Sequence, residues 1–292
     1  MKRYFILFLM LYNASAILAQ LPNTDIWLFD IKTEKDSITF TNPVNITNRV
    51  GYDNQPAFSP DGKYILYTSI RDEKQSDIYK YDLKTKKTSQ FTNTTTSEYS
   101  PTFMPDGKNI SVVMVEADSA QRLWKFPIKG GNPSLIMDKV DSIGYHCWLD
   151  NSHVALFLIT NPFQLVFTDI TTQKSNVIVH DTINRGISVQ TYQELRWFYY
   201  SYKDKFYIVD LKTNKNMAIC YKNYKGEDFC FINPSTFIVS DGSFLYQNIS
   251  RFADNQKDWK QIADLSKYGL TKITRMAVSP DGKRIAIVSE TK

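Results

Sequence analysis

Past its first twenty residues the chain has no apolar run that would cross a bilayer, and little helical periodicity. A spanning helix needs about 20 consecutive apolar residues, so the body of the protein is not a helical membrane protein, nor does it read as a helix bundle. Lys and Arg are nowhere clustered, although the formal charge is +5. Without a basic stripe there is little for nucleic acid to bind. Cysteine is scarce: Cys147, Cys220 and Cys230 make an odd count with no CxxC pair. Buried free thiols are expected from that context, with one disulfide as the alternative. His146, His153 and His180 stand apart, without the spacing of a metal centre. Nor is there a Gly-x-Ser-x-Gly, the signature of the serine hydrolases that accompany some repeat domains. What the chain has instead is aromatic residues, 18 Tyr and 18 Phe against 11 Gly. That balance favours strands.

The first residues form a separate object. Lys2 and Arg3 precede the apolar run Tyr4 to Leu11, and small residues follow up to Ala19, the pattern of a secretory signal peptide. Residues 1–19 are therefore expected to direct export. Cleavage after Ala19 would leave Gln20 first, and cleavage after Ala16 satisfies the same small-x-small rule. Without Lys2 and Arg3 the formal charge falls from +5 to +3.

The body of the chain repeats. "NQPAFSPDGKYILY" from Asn54 returns as "YSPTFMPDGKNISVV" from Tyr99 and as "TRMAVSPDGKRIAIV" from Thr274. Each is an apolar run, a turn and a second apolar run, which predicts an antiparallel hairpin. Pro60 and Pro105 are 45 residues apart, and the 175 residues from Pro105 to Pro280 make four intervals of about 44. Degenerate copies fill the gap at "HCWLDNSHVALFL", "TYQELRWFYYSY" and "FCFINPSTFIVS". A second hairpin alternates with the first, clearest in "DIYKYDLKTKKTSQFT" from Asp77 and present before the first repeat as "DIWLFDIKTEKDSITFTN" from Asp25. Four strands per period of about 44 residues predict a β-propeller. Because the chain opens with the outer hairpin and ends with the inner one, the last blade is expected to be closed by the N-terminal strands.

These two motifs, "PAFSPDGKYILY" followed by "SDIYKYDLKTKKTSQFT", resemble the TolB-type propeller repeat. Six copies with an end-joined blade resemble the six-bladed TolB propeller over residues 21 to 292. TolB carries an α/β domain ahead of that propeller, and the resemblance is expected to cover the propeller portion alone, since only about thirty residues separate the expected leader from the first full blade. The expectation is an all-β, six-bladed propeller of four-stranded antiparallel blades, with residues 20–292 as a single domain.

Repetition also bears on the Asp of Ser-Pro-Asp-Gly. Asp61, Asp106 and Asp281 could be read as metal ligands or general acids, but a catalytic centre needs its groups within a few ångströms, and equivalent turns on separate blades are held apart by the ring. Pro, Asp and Gly are the residues a tight turn needs, so the phrase is expected to be a hinge. The sialidase turn, which ends in a Trp, is not matched. By the same logic Trp27, Tyr79, Trp124 and Tyr207, which recur at one place in their blades, are expected to pack between blades.

A ligand or partner of a propeller meets the innermost strands at the channel mouth. Aligning the repeats on Phe58, Phe103, Trp148, Phe231 and Val278 puts Gln55, Ser100, Tyr145, Asp228 and Arg275 at one level. Asp53, Glu98, Tyr99, His146 and Glu227 lie close by, with Gln190 as a guess for the poorly aligned fourth blade. The acids are otherwise read as solvated loop residues and Arg275 as the partner of one of them. No catalytic residue, metal ligand or cofactor is assigned. The resemblance implies an exported, non-catalytic monomer, periplasmic or extracellular, that binds a cell-envelope protein or peptide through this mouth. A glycan or small-ligand sensor is the alternative from another class, and a metal-assisted lyase or lactonase using His146 with Glu98 or Glu227 is a third.

Asp-Ser-Ile at 36 and 141, Asp-Ser-Ala at 118 and Asp-Thr-Ile at 181 resemble the short O-glycosylation acceptor of some Gram-negative bacteria. Intact mass and N-terminal sequencing of the exported protein test both readings at once. The expected N-terminus is Gln20, or Ile17 for the earlier cut, and a mass above that of the bare chain would mark the triplets as used.

Overall fold

The computed structural model describes residues 22–34, 37–71, 75–181, 183–192, 194–222, 224–249 and 259–291. The leader expected at 1–19 lies outside them. Its described residues form six four-stranded antiparallel blades. The inner strands of blades 1 to 6 are Tyr52–Phe58, Ser97–Phe103, Ile143–Trp148, Ile183–Tyr192, Phe229–Asn233 and Ile273–Val278. In blade 6 the two strands Ile273–Val278 and Arg284–Glu290 are completed by Thr24–Glu34 and Ser37–Asn45. Thr24 to Asp30 pairs antiparallel with Glu290 to Arg284, residue for residue. A single parallel bridge from Thr24 to Tyr52 carries the ladder on into blade 1.

Burial explains why these segments are strands. The second strands of blades 1, 2 and 6, Tyr64–Ile70, Asn109–Val115 and Arg284–Glu290, are each buried at five consecutive positions. A strand covered on both faces has no use for polar alternation, which is why these stretches read as continuous β-branched and aromatic runs. The outer strands Thr88–Gln90 and Ser134–Leu135 are exposed throughout. The core is correspondingly divided into six apolar clusters, one at each junction between neighbouring blades. Trp27, Tyr79, Trp124 and Tyr207 pack against four of these, as their periodic placement predicts.

The Pro-Asp-Gly phrase is a turn. In blade 1 the Gly62 N–H donates to the Ser59 carbonyl at 2.8 Å, with Gly62 at φ +66°. Ser59 Oγ donates to Asp61 Oδ1 at 2.7 Å and accepts from the N–H groups of Lys63 and Tyr64. Ser279 and Asp281 repeat this arrangement, and Asp106 accepts from the N–H groups of Lys108 and Asn109. Bonds from Ser59 and Ser279 hold the carboxyls of Asp61 and Asp281 below the ordinary aspartate range. Where Pro-Asp-Gly has decayed, the cap survives: Asp150 accepts from the N–H of Ser152 and His153, and Asn233 from Ser235 and Thr236. Local side-chain bonds of this kind fix a turn without help from a partner strand.

The three thiols are free, and burial pushes those of Cys147 and Cys220 up to about 12, so they stay protonated at neutral pH. Of the Asp-Ser/Thr triplets, Asp118 and Ser119 are exposed in a turn, and Ser142 is half-buried; Asp36 and Thr182 lie outside the described residues. No helix among the described residues is long and apolar enough to cross a membrane.

Phe29, on the closing strand, is fully buried at the junction of blades 5 and 6. Truncating a buried Phe costs about 3–5 kcal/mol. Phe29→Ala should therefore lower the unfolding free energy measured in urea by that amount and open blade 6 to protease first, whereas Val50→Ala, at an exposed position, should leave both unchanged.

Candidate binding site at the channel mouth

The inner strands are not straight where they meet the axis. Their pairing registers shift between Asn54 and Ala57, Tyr99 and Thr102, Ile143 and Tyr145, Ile183 and Ile187, and Ile273 and Arg275. A bulge of this kind re-aims side chains at a rim. Gln55 and Ser100, each followed by Pro, adopt φ of +57° and +54°. Gln55 Oε1 accepts from Thr68 Oγ1 at 2.7 Å and from the Ser100 N–H at 2.8 Å, and so ties blade 1 to blade 2 at the channel wall.

Residues of all six inner strands line a chamber of about 430 Å³. Gln55, Ser100, Tyr145, Asp228 and Arg275, the residues that repeat alignment puts at one level, all stand in its wall, with His146 and Gln190. Toward the starts of the inner strands lies a second cavity of about 570 Å³, bordered by Tyr52, Glu227, Lys225, Lys272 and Thr274. Tyr145 and Arg185 line both, and form the throat between them.

Arg275 reaches from blade 6 to the ring of Tyr145 on blade 3, its guanidinium carbon 4.4 Å from the ring centroid. Contrary to the expectation of a structural ion pair, no carboxylate among the described residues lies within 4 Å of it, and its Nη2 has no hydrogen-bond partner. Asp228 instead accepts from the Met276 N–H at 3.1 Å. Burial raises the Asp228 pKa, and Arg275 with that N–H opposes the rise. Arg185 lies 3.4 Å from Glu227 and donates to the Thr274 carbonyl at 3.2 Å, linking blades 4, 5 and 6. It was not legible in the sequence because the fourth repeat is too degenerate to align. Tyr52, in the outer cavity, is pushed up to about 12 by burial.

His146 is buried, and burial pushes its pKa down to about 3, so the ring is neutral. Its Nε2 lies 2.6 Å from Ser111 Oγ, and Ser111 Oγ accepts from Trp148 Nε1 at 2.9 Å; Nδ1 has no partner. The arrangement a lyase would need is not assembled, since Glu98 is held by threonines and Glu227 faces Arg185. Among the described residues no three His, Cys, Asp or Glu come together in a way that would hold a metal ion.

No protein-family model matches the sequence, and no curated protein does. Solved structures do. The protein from Agrobacterium tumefaciens assigned as TolB superposes with a TM-score of 0.66 at 18% identity, over 93% of this chain and 99% of that one. TolB of Acinetobacter baumannii gives 0.57 at 15% identity, over 92% of this chain but 64% of that one. A chain of the nidogen/laminin complex gives 0.58 at 8% identity, over 92% and 99%. At these identities the likeness is one of fold, and the fold is that of the TolB propeller.

Three of the residues expected at the mouth lie elsewhere. Asp53 is fully buried, 2.9 Å from Arg49 Nε and accepting from Ser69 Oγ at 2.6 Å. Glu98 is fully buried and accepts from Thr92 Oγ1 at 3.0 Å and from Thr94 Oγ1. Tyr99 packs in the apolar cluster between blades 2 and 3. The bulge that follows, with Gln55 and Ser100 at positive φ, turns the strand between these positions and the channel. Burial drives the Glu98 carboxyl from 4.5 up to about 7, against the threonine hydroxyls. The folded state thus favours the protonated form. The stability it gives is complete below pH 4.5 and is lost as pH rises through 7. Glu98→Gln removes that dependence: in urea unfolding, wild type and variant should differ least near pH 4.5, and at pH 8 the variant should gain roughly 3 kcal/mol on the wild type. A difference that stays constant with pH would show that Glu98 does not titrate in this range.

Proposed function

We propose that this chain is an exported propeller, a single domain from Gln20 onward, that binds a protein or peptide partner through the mouth of its channel and catalyses no reaction itself. The observation that supports this most is that two cavities adjoin along the axis, sharing Tyr145 and Arg185 in their walls. An outer vestibule narrowing to an inner chamber suits an extended segment of chain. A sugar would look for an open aromatic face, yet the Tyr145 ring is engaged by Arg275 and the periodic aromatics are packed between blades. Export follows from the leader pattern of residues 1–19. The nidogen/laminin complex is a precedent for a propeller of this shape in a protein assembly.

Affinity capture from cell-envelope extracts tests the reading, with a glycan array beside it. Arg185→Glu places two acids in the throat, and Arg185→Glu with Glu227→Arg restores a pair of reversed sense. A mouth-bound partner should be lost from the single variant by at least tenfold and stay lost from the double one. Capture that is equal in all three, or glycans retained in place of proteins, would refute it.

A further inference from the structure

The inner chamber carries a positive charge that no carboxylate of the described residues contacts, and the buried Asp228 acts on it only from beyond ion-pair distance. Arg275 has no carboxylate within 4 Å among the described residues, and one of its nitrogens is buried without a partner. A guanidinium stays charged at any physiological pH, and a buried charge left unpaired is strongly unfavourable. Two further polar atoms in the same wall are also without partners: Ser100 Oγ and His146 Nδ1, the latter on a side chain only 7% exposed. Buried polar atoms are as a rule paired, and three that are not belong to residues of one cavity wall.

Their positions indicate what completes them. Gln55, Ser100 and His146 belong to blades 1, 2 and 3, and Arg275 crosses from blade 6 to meet blade 3 at Tyr145. Asp228, the acid of the chamber, belongs to blade 5, opposite blade 2, and its carboxylate is engaged by the Met276 N–H. An anionic group is therefore repelled from the blade 5 wall and drawn to the arc from blade 6 through blades 1 to 3. Planar guanidinium donors with a hydroxyl and an imidazole N–H match the two oxygens of a carboxylate.

We propose that the inner chamber seats a single carboxylate carried by a peptide, on Arg275, Ser100 and His146. This rests on the partner reading above and names the group recognised. With the carboxylate in place the Ser111 hydroxyl turns from the Thr102 carbonyl, 3.3 Å away, to donate to His146 Nε2, so that His146 carries its proton on Nδ1 and donates it to the ligand. A C-terminal carboxylate and an Asp or Glu side chain present the same chemistry, and the probes separate them.

The test titrates the exported protein, with its histidines labelled in ¹⁵N, with acetyl-Gly-Gly-Gly as free acid and as amide, with acetyl-Gly-Glu-Gly-amide, and with D-glucuronate. Either acidic peptide should move the His146 nitrogens saturably toward the Nδ1-protonated pattern, and which one does so identifies the source of the carboxylate. The tripeptide amide should not, and Arg275→Met should weaken the response at least tenfold, as expected for loss of a charge-assisted bond of about 1.5–3 kcal/mol. Arg275→Lys, which keeps the charge, should retain part of it and so separates charge from folding. An amide as effective as the acid, or no response of His146 to any probe, overturns the proposal. A response to glucuronate alone overturns its peptide part. If an envelope partner is captured but the active acid does not compete with it, the carboxylate seat falls and the partner reading stands; seating of the acid with no partner captured has the opposite meaning.

Discussion

Everything in this molecule depends on seven residue pairs between the two ends of the chain. Thr24 to Asp30 lies against Glu290 to Arg284, and this ladder turns a row of five blades and two half-blades into a ring. Without it two sheets would expose their edges, which is a standing invitation to pair with another chain. The apolar clusters between blades 5 and 6 and between blades 6 and 1 would lose one wall, because Phe29 and Ile31 in the first and Ile26 in the second come from the closing strand. The channel exists only because the ring is shut. So the geometry of Arg275, which reaches over the axis from blade 6, depends on a hydrogen-bond ladder distant from it in sequence.

The ring also explains how the protein keeps a polar interior. Each blade buries its middle strand on both faces, so apolar packing is spent between blades and the axis is left to the bulged inner edges. There the backbone departs from regular pairing in all six inner strands, and residues such as Gln55 serve two ends at once: its one side-chain oxygen accepts a bond from within blade 1 and a second from blade 2. Among the described residues, Arg275 Nη2, Ser100 Oγ and His146 Nδ1 are left without partners on residues around the axis.

Much of the architecture could be read from the residues alone. Pro-Asp-Gly marks turns because each residue acts locally, and the order of outer and inner hairpins reveals the shared blade because strand pairing is sequential. Repeat alignment also carried Gln55, Ser100, Tyr145, Asp228 and Arg275 to the axis, since equivalent positions in equivalent blades face the same way. It failed at Asp53, Glu98 and Tyr99, where a bulge alters direction within two residues, and at Arg185, where the fourth repeat has lost the landmarks that fix its register. Pairing was equally out of reach. Whether Arg275 meets an acid depends on distances across the axis, which no periodicity encodes.

The shared blade also governs when the molecule takes shape. A strand whose partner lies at the opposite end of the polypeptide must wait through nearly the whole of synthesis, and contacts so remote in sequence are slow to find one another. Until that pairing forms, blade 6 lacks two of its four strands and two sheet edges stay open. For a chain exported as proposed above, such a delay would hold back the last step of folding until all of it has arrived.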